Sequence, residues 1–252
     1  MGRSETLKKV IYVQLDTISN SVMTKGIHPN DFHRTMSHLP ENILLLNPQA
    51  TDGEFENHTG FKIIRHNKVE EYFNGSLGRN ELREWIDFND IHLLKQLTPI
   101  EISELLYFGH MKKHLHSPFF YKLQNNYVFL QLTDEINKIY YRHMNEFYFL
   151  LAQKVHQEIA SRVNHRRGLF KKAIEVPVID EVVMQELKGV LQEGVVFHFE
   201  QLFFDEETYC LPIYLVEDRL RNVEDIQYGK ELLLAELYFE EKWRVRLNKE
   251  LI

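Results

Sequence analysis

The residues best spaced for chemistry lie in His110-Met111-Lys112-Lys113-His114-Leu115-His116. His110 and His114 stand four apart, a helical spacing at which two imidazoles can share one metal ion, and His116 can join from the helix end. With an open position holding an activated water, such a site would be that of a metal-dependent hydrolase. Met111 stands where zinc proteases carry glutamate, however, and Lys112 and Lys113 repel a cation. Histidines in a last helical turn also have a plainer use, interacting with exposed carbonyls at the negative end of the helix dipole.

A second pattern is the run Arg162-Val163-Asn164-His165-Arg166-Arg167-Gly168-Leu169-Phe170-Lys171-Lys172, which has five formal positive charges and no acid. Arg162, Arg166, Arg167, Lys171 and Lys172 can together attract phosphates or an acidic partner. The competing use is a solvated helix end, answered by acids elsewhere in the chain. Charge is unevenly spread: residues 94–172 carry 12 Lys/Arg against 6 Asp/Glu, and residues 173–252 carry 8 against 18. The net formal charge is −7. Residues 94–172 also hold 13 of the 31 aromatics, so rings interleave with cations as they do where bases stack. Most of these rings are needed for a core, which leaves Phe120, Tyr127, Phe129 and alternate residues of the following strand as surface stackers.

Other candidates are thinner. His198 and Glu200 would share one face of a strand, as an acid/base pair or as two exposed residues. Cys210, between Tyr209 and Leu211-Pro212, reads as a small hydrophobe rather than a nucleophile. No G-x-S-x-G, P-loop or dinucleotide glycine fingerprint occurs, so neither a catalytic set nor a required cofactor is indicated.

The elements that must position these groups are legible from periodicity. Residues 10–15 and 42–46 read as strands. Residues 61–66 and 69–73 read as a hairpin turning at Asn67-Lys68, after a surface loop over 47–60. A short helix is expected from Asn80, with Leu82, Trp85 and Ile86 on one side. Thr98-Pro99-Ile100-Glu101 is the clearest helix start, because hydroxyl and carboxylate can satisfy each other's backbone amides around an N1 proline. Its inward stripe would be Ile102, Leu105, Leu106 and Gly109, ending near His116, since Pro118 biases Ser117 out of the helical region.

Asn125-Asn126 predicts a two-residue turn closing a hairpin over 119–132, with Leu123, Val128 and Leu130 buried on one face. A strand over 138–143 follows, and then a long amphipathic helix with Tyr148, Leu151, Ala152, Val155, Ile159 and Val163 inward. A further helix should start near Pro177 and stop at Gly194. Residues 195–204 and 209–216 suggest another hairpin, and 231–247 suits either a helix or a strand.

The composition, with 44% apolar, 12% aromatic and 27% charged residues over 252 positions, excludes a mainly disordered or low-complexity chain. The expected class is α+β, with mainly antiparallel sheets packed against three to five helices. A small N-terminal α/β unit over 1–93 and a larger α+β unit over 94–252 are expected, with a single compact domain as the alternative. One cysteine rules out an internal disulfide framework and suits a reducing cytosol. The apolar run at 10–13 is too short for a signal-peptide core, and no run approaches a membrane span. The expectation is a cytoplasmic binding or regulatory protein for an anionic or protein partner. The alternative is the metal-dependent hydrolase centred on His110, His114 and His116.

Overall fold

A computed structural model describes residues 10–47, 50–74, 83–111, 121–165, 173–205, 207–216 and 232–248, with the side chains of 108–111 and 121 left aside. In chain order the elements begin β1 (Val10–Asp16), β2 (Ser21–Lys25), α1 (Pro29–Thr35), β3 (Asn42–Leu45), β4 (Glu54–Phe55), β5 (Lys62–Ile64), α2 (His66–Asn74) and β6 (Glu84–Phe88). Then come α3 (Ile91–Leu94), α4 (Pro99–Met111), β7 (Tyr127–Gln131), β8 (Ile136–Tyr141) and α5 (Asn145–His165). The remainder is α6 (Glu181–Glu186), α7 (Lys188–Gln192), β9 (Val195–His198), β10 (Phe203–Phe204), β11 (Tyr209–Leu215), β12 (Leu232–Phe239) and β13 (Trp243–Leu247). The class is mixed helix and antiparallel sheet as expected, but seven α-helices occur among the described residues rather than three to five. None of them is long and apolar enough to cross a membrane.

The chain divides into two compact units. One takes in Asp16–Met23 and His28–Glu146, and the other Met1–Leu15, Thr24–Ile27 and Phe147–Ile252. Residue 93, expected as a seam, falls inside the first of these, where β6 and β7 pair across it.

In the 28–146 unit the strands run β8-β7-β6-β3-β5-β4, every pairing antiparallel. Because side chains alternate along a strand, register decides two separate cores. Trp85 opposes Phe129, and their stacked rings lie 5.6 Å apart. Phe32 of α1 meets Phe129 at 5.3 Å and Tyr127 at 5.4 Å, while Phe73 of α2 meets Trp85 at 5.5 Å. The other face is mostly aliphatic: Leu44, Ile63, Ile86, Phe88, Val128, Leu130 and Tyr140 bury Leu94 of α3, Leu105 of α4, Leu97 and Leu123. The start of α4 has the expected reciprocal cap, with the Thr98 amide donating to Glu101 at 2.7 Å and the Glu101 amide to Thr98 Oγ1 at 3.3 Å. Its inward stripe is narrower than expected, since Leu105 is buried, Ile102 half-buried and Leu106 exposed.

Three expectations fail here. Residues 66–74 are the helix α2, and Val69, Tyr72 and Phe73 bury at helical spacing. Residues 84–88 are the strand β6, not part of a helix, and all five are buried. The hairpin over 119–132 does not form: Tyr121–Leu123 is a 3-10 turn, and β7 pairs instead with β6 and β8. The positive φ falls on Gln124, at 54°, rather than on the two asparagines. Leu123, Val128 and Leu130 are nevertheless fully buried.

The other unit carries the strand order β13-β12-β11-β9-β1, with β10 paired to β11. Val10 of β1 opposes His198 of β9, and Val13 opposes Val195. The ambiguous C-terminal stretch is the β12-β13 hairpin, with Phe239 opposite Trp243. All six inward residues expected for α5 are buried. Helix α6 begins at Asp180, whose carboxylate caps the Val182 amide, later than the expected Pro177. The residues before it are not helical, and side chains bond their backbone: His156 at the Val176 carbonyl, Trp243 at the Pro177 carbonyl, and Asn164 at both N and O of Ile174. The helical stretch breaks at Leu187 into α6 and α7 and ends at Gly194 with φ +82°. There a Cβ would meet the Tyr12 hydroxyl at 2.9 Å, so backbone conformation and space both call for glycine.

Leu130 is fully buried in the aliphatic face, and truncating it leaves a cavity there. Leu130→Ala is expected to lower unfolding free energy by about 2–5 kcal/mol, measured by urea titration. A loss under about 1 kcal/mol would mean that this core is not closely packed.

Candidate functional site

Helix α4 carries His110 in its last turn, while His114 and His116 lie outside the described residues. Among the described residues, no group of three or more His, Cys, Asp or Glu side chains is placed to hold a metal ion. Of the basic run, Arg162 is described and Arg166, Arg167, Lys171 and Lys172 are not. Arg162 lies in the last turn of α5, one turn beyond Glu158, which pairs with Lys154 at 3.3 Å. Both members of that pair are largely buried, at 10% and 16% side-chain exposure. The Arg162 Nε is buried and finds no hydrogen-bond partner among the described residues.

The weaker candidates separate. His198 ends β9 and is buried, whereas Glu200 sits exposed in the 3-10 turn Phe199–Gln201, so the two do not share a strand face. Cys210 is half-buried, and burial, followed by Glu236, pushes its thiol up to about 11, which keeps it protonated at neutral pH. Tyr127 and Phe129 are core residues, as are Tyr140 and Tyr141 of β8, so they cannot stack bases at the surface. Phe120 lies outside the described residues.

Two groupings escaped the sequence, one on β6 and one at the residue just before it. The first is Asp87, 2% exposed, whose carboxylate accepts from the Asn126 amide at 2.9 and 3.0 Å and from the Tyr127 amide at 2.6 Å. Burial pushes this carboxyl up to about 6, while the two amides and Arg142 pull the other way. Nearby, the Tyr127 hydroxyl donates to Glu146, and both side-chain polar atoms of the buried Asn125 find no partner among the described residues. A carboxyl titrating near 6 can move protons, but this one is enclosed and its oxygens are engaged by backbone. Its work is to hold the turn into β7.

The second grouping lies at the opposite end of the same row. Arg83, Trp85 and Asp87 point to one sheet face, by the two-residue period of a strand. Arg83 is half-buried, its Nη1 is buried without an acceptor among the described residues, and burial holds its pKa below the usual value. Its backbone is fixed by Gln131, whose amide donates to the Arg83 carbonyl at 2.8 Å and whose side-chain oxygen accepts from the Arg83 amide at 3.1 Å. Tyr72 of α2 acts on the guanidinium electrostatically. Beside it His33 of α1 stacks on Phe73, with centroids 4.5 Å apart and planes at 17°. Burial and then Arg83 hold the His33 imidazole below its usual pKa, against Glu70. Reading Arg83-Glu84-Trp85-Ile86-Asp87-Phe88 by alternation would have placed Arg83 and Asp87 beside Trp85. The helical reading of Leu82, Trp85 and Ile86 hid that.

Comparison with known protein families, with curated proteins and with solved structures finds no match in any of the three.

The raised pKa of Asp87 has a stability consequence with a definite sign. Between its usual value of 3.8 and about 6, the folded state binds a proton that the unfolded chain has released. Its contribution is therefore fully present below about pH 4 and lost as pH rises through 6. Stability of the wild type relative to Asp87→Asn should fall by about 2–3 kcal/mol from pH 4 to pH 7, read from urea unfolding of both proteins. A pH-independent difference would show that Asp87 titrates normally.

Proposed function

We propose that the protein is a non-enzymatic cytosolic binding protein for an anionic partner, engaged through Arg162, Arg166, Arg167, Lys171 and Lys172. The observation that carries this reading is Arg162. It opens a run of five cations without an acid, and its Nε is buried with no acceptor among the described residues. A guanidinium withdrawn from water has lost hydration that a phosphate or carboxylate oxygen can replace. One turn earlier in α5, Glu158 pairs through Oε1 with Lys154 at 3.3 Å.

A polyanion held by this run displaces counterions in proportion to the phosphates contacted. Binding of short DNA and RNA should weaken by about two to three orders of magnitude between 50 and 200 mM salt if five phosphates are engaged. The paired change Arg166→Glu with Arg167→Glu should abolish it, as followed by fluorescence anisotropy. No binding at low salt, or binding indifferent to the paired change, removes the nucleic-acid form of the proposal.

A further inference from the structure

The 28–146 unit contains a second guanidinium with a buried nitrogen that finds no hydrogen-bond partner among the described residues, and it stands apart from the basic run in sequence and in unit. We infer that Arg83, with His33 and Tyr72, forms a binding site for a small oxyanion, a phosphate or carboxylate group. This inference goes beyond the proposed polyanion binding and does not depend on it.

Withdrawing a guanidinium from water is unfavourable unless its donors are satisfied. Arg83 has an enclosed Nη1 without an acceptor, and no carboxylate of the described chain pairs with it. Glu70 is exposed on α2 and acts on His33. Water-filled or not, such a group persists in a fold at a cost, and the cost is recovered when an oxyanion docks against the planar fork. The surroundings suit that role. Gln131 fixes the Arg83 backbone through two hydrogen bonds, so the side chain leaves from a rigid strand end rather than from a loop. The Tyr72 ring is buried against Phe73, and the Phe73 ring is in turn held by Trp85. His33 is clamped flat on Phe73, where burial favours its uncharged form, and its ring carries an N–H donor in either form. Phe73 thus ties His33 of α1 and Tyr72 of α2 to Trp85, two residues along the same sheet face from Arg83. Preorganisation of that kind is what a small anion needs, because it brings little contact area of its own.

Thermal unfolding and calorimetric titration with sodium phosphate and with sodium acetate, at ionic strength held constant with sodium chloride, test the site and separate the two anion classes. At about 100 times its Kd the preferred anion should raise Tm by about 5–10 °C, with saturation. Arg83→Met keeps the apolar length and removes the donors, so it should abolish the shift without lowering Tm in chloride alone. Arg83→Lys keeps the charge and loses the fork, so affinity should drop on the order of tenfold or more, the value of one charge-assisted hydrogen bond. Arg166→Glu with Arg167→Glu should leave the shift intact, which separates this site from the basic run. No saturable shift with either anion overturns the inference, as does a shift that survives Arg83→Met. Should Arg83→Met fail to fold, unchanged affinity in Arg83→Lys overturns it equally.

Discussion

Strand β6 is buried at all five positions, and this constraint shapes the unit around it. A strand with both faces dry needs cover on both sides, and each side is supplied differently. Trp85 stacks on Phe129 under Phe32 and Phe73, so α1 and α2 must close over that face. Ile86 and Phe88 point into the cluster closed by Leu94, Leu97, Leu105 and Leu123, which brings α3 and the capped start of α4 to the other face. Asp87 is carried inward in the same alternation. Its burial is tolerated because it accepts from the Asn126 and Tyr127 amides, which would otherwise be difficult to satisfy at the mouth of β7.

The same constraint explains what could be read in the sequence and what could not. The inward residues of α5 and the Thr98–Glu101 cap were legible because both signals are local: a 3.6-residue period, and a hydroxyl three residues from a carboxylate. Burial on two sides erases the polar alternation that marks a strand, so Trp85 and Ile86 passed for one side of a helix. In α2 the spacing of Val69, Tyr72 and Phe73 was helical throughout, but Asn67-Lys68 was given the weight of a turn. The Asn125-Asn126 turn failed for a non-local reason. Its amides are claimed by a carboxylate about forty residues earlier in the chain, and Gln124 takes the left-handed conformation instead.

The candidate sites follow this division between local and distant information. A run of cations is visible in any sequence, and so Arg162 and its neighbours stood out. Arg83 is a single residue, and its significance comes from what is missing around it once the sheet is assembled. The contrast with Lys154 is instructive. That lysine is buried, yet Glu158 sits one helical turn away at 3.3 Å and answers it. Charge pairing at i,i+4 is written in the sequence. The lack of a counter-charge at Arg83 is a property of the fold.

The pairing of Val10 with His198 sets a timetable for synthesis. Strand β1 is made nearly two hundred residues ahead of its partner β9. At about 5–20 residues per second the ribosome takes roughly 10–40 s to bridge that interval. For that time the sequence Val-Ile-Tyr-Val of β1 must wait without the edge it will finally join, while the whole 28–146 unit emerges and can fold ahead of it. A nascent apolar strand held open so long is a natural client for a chaperone, and the intervening unit is the part of the chain able to mature first.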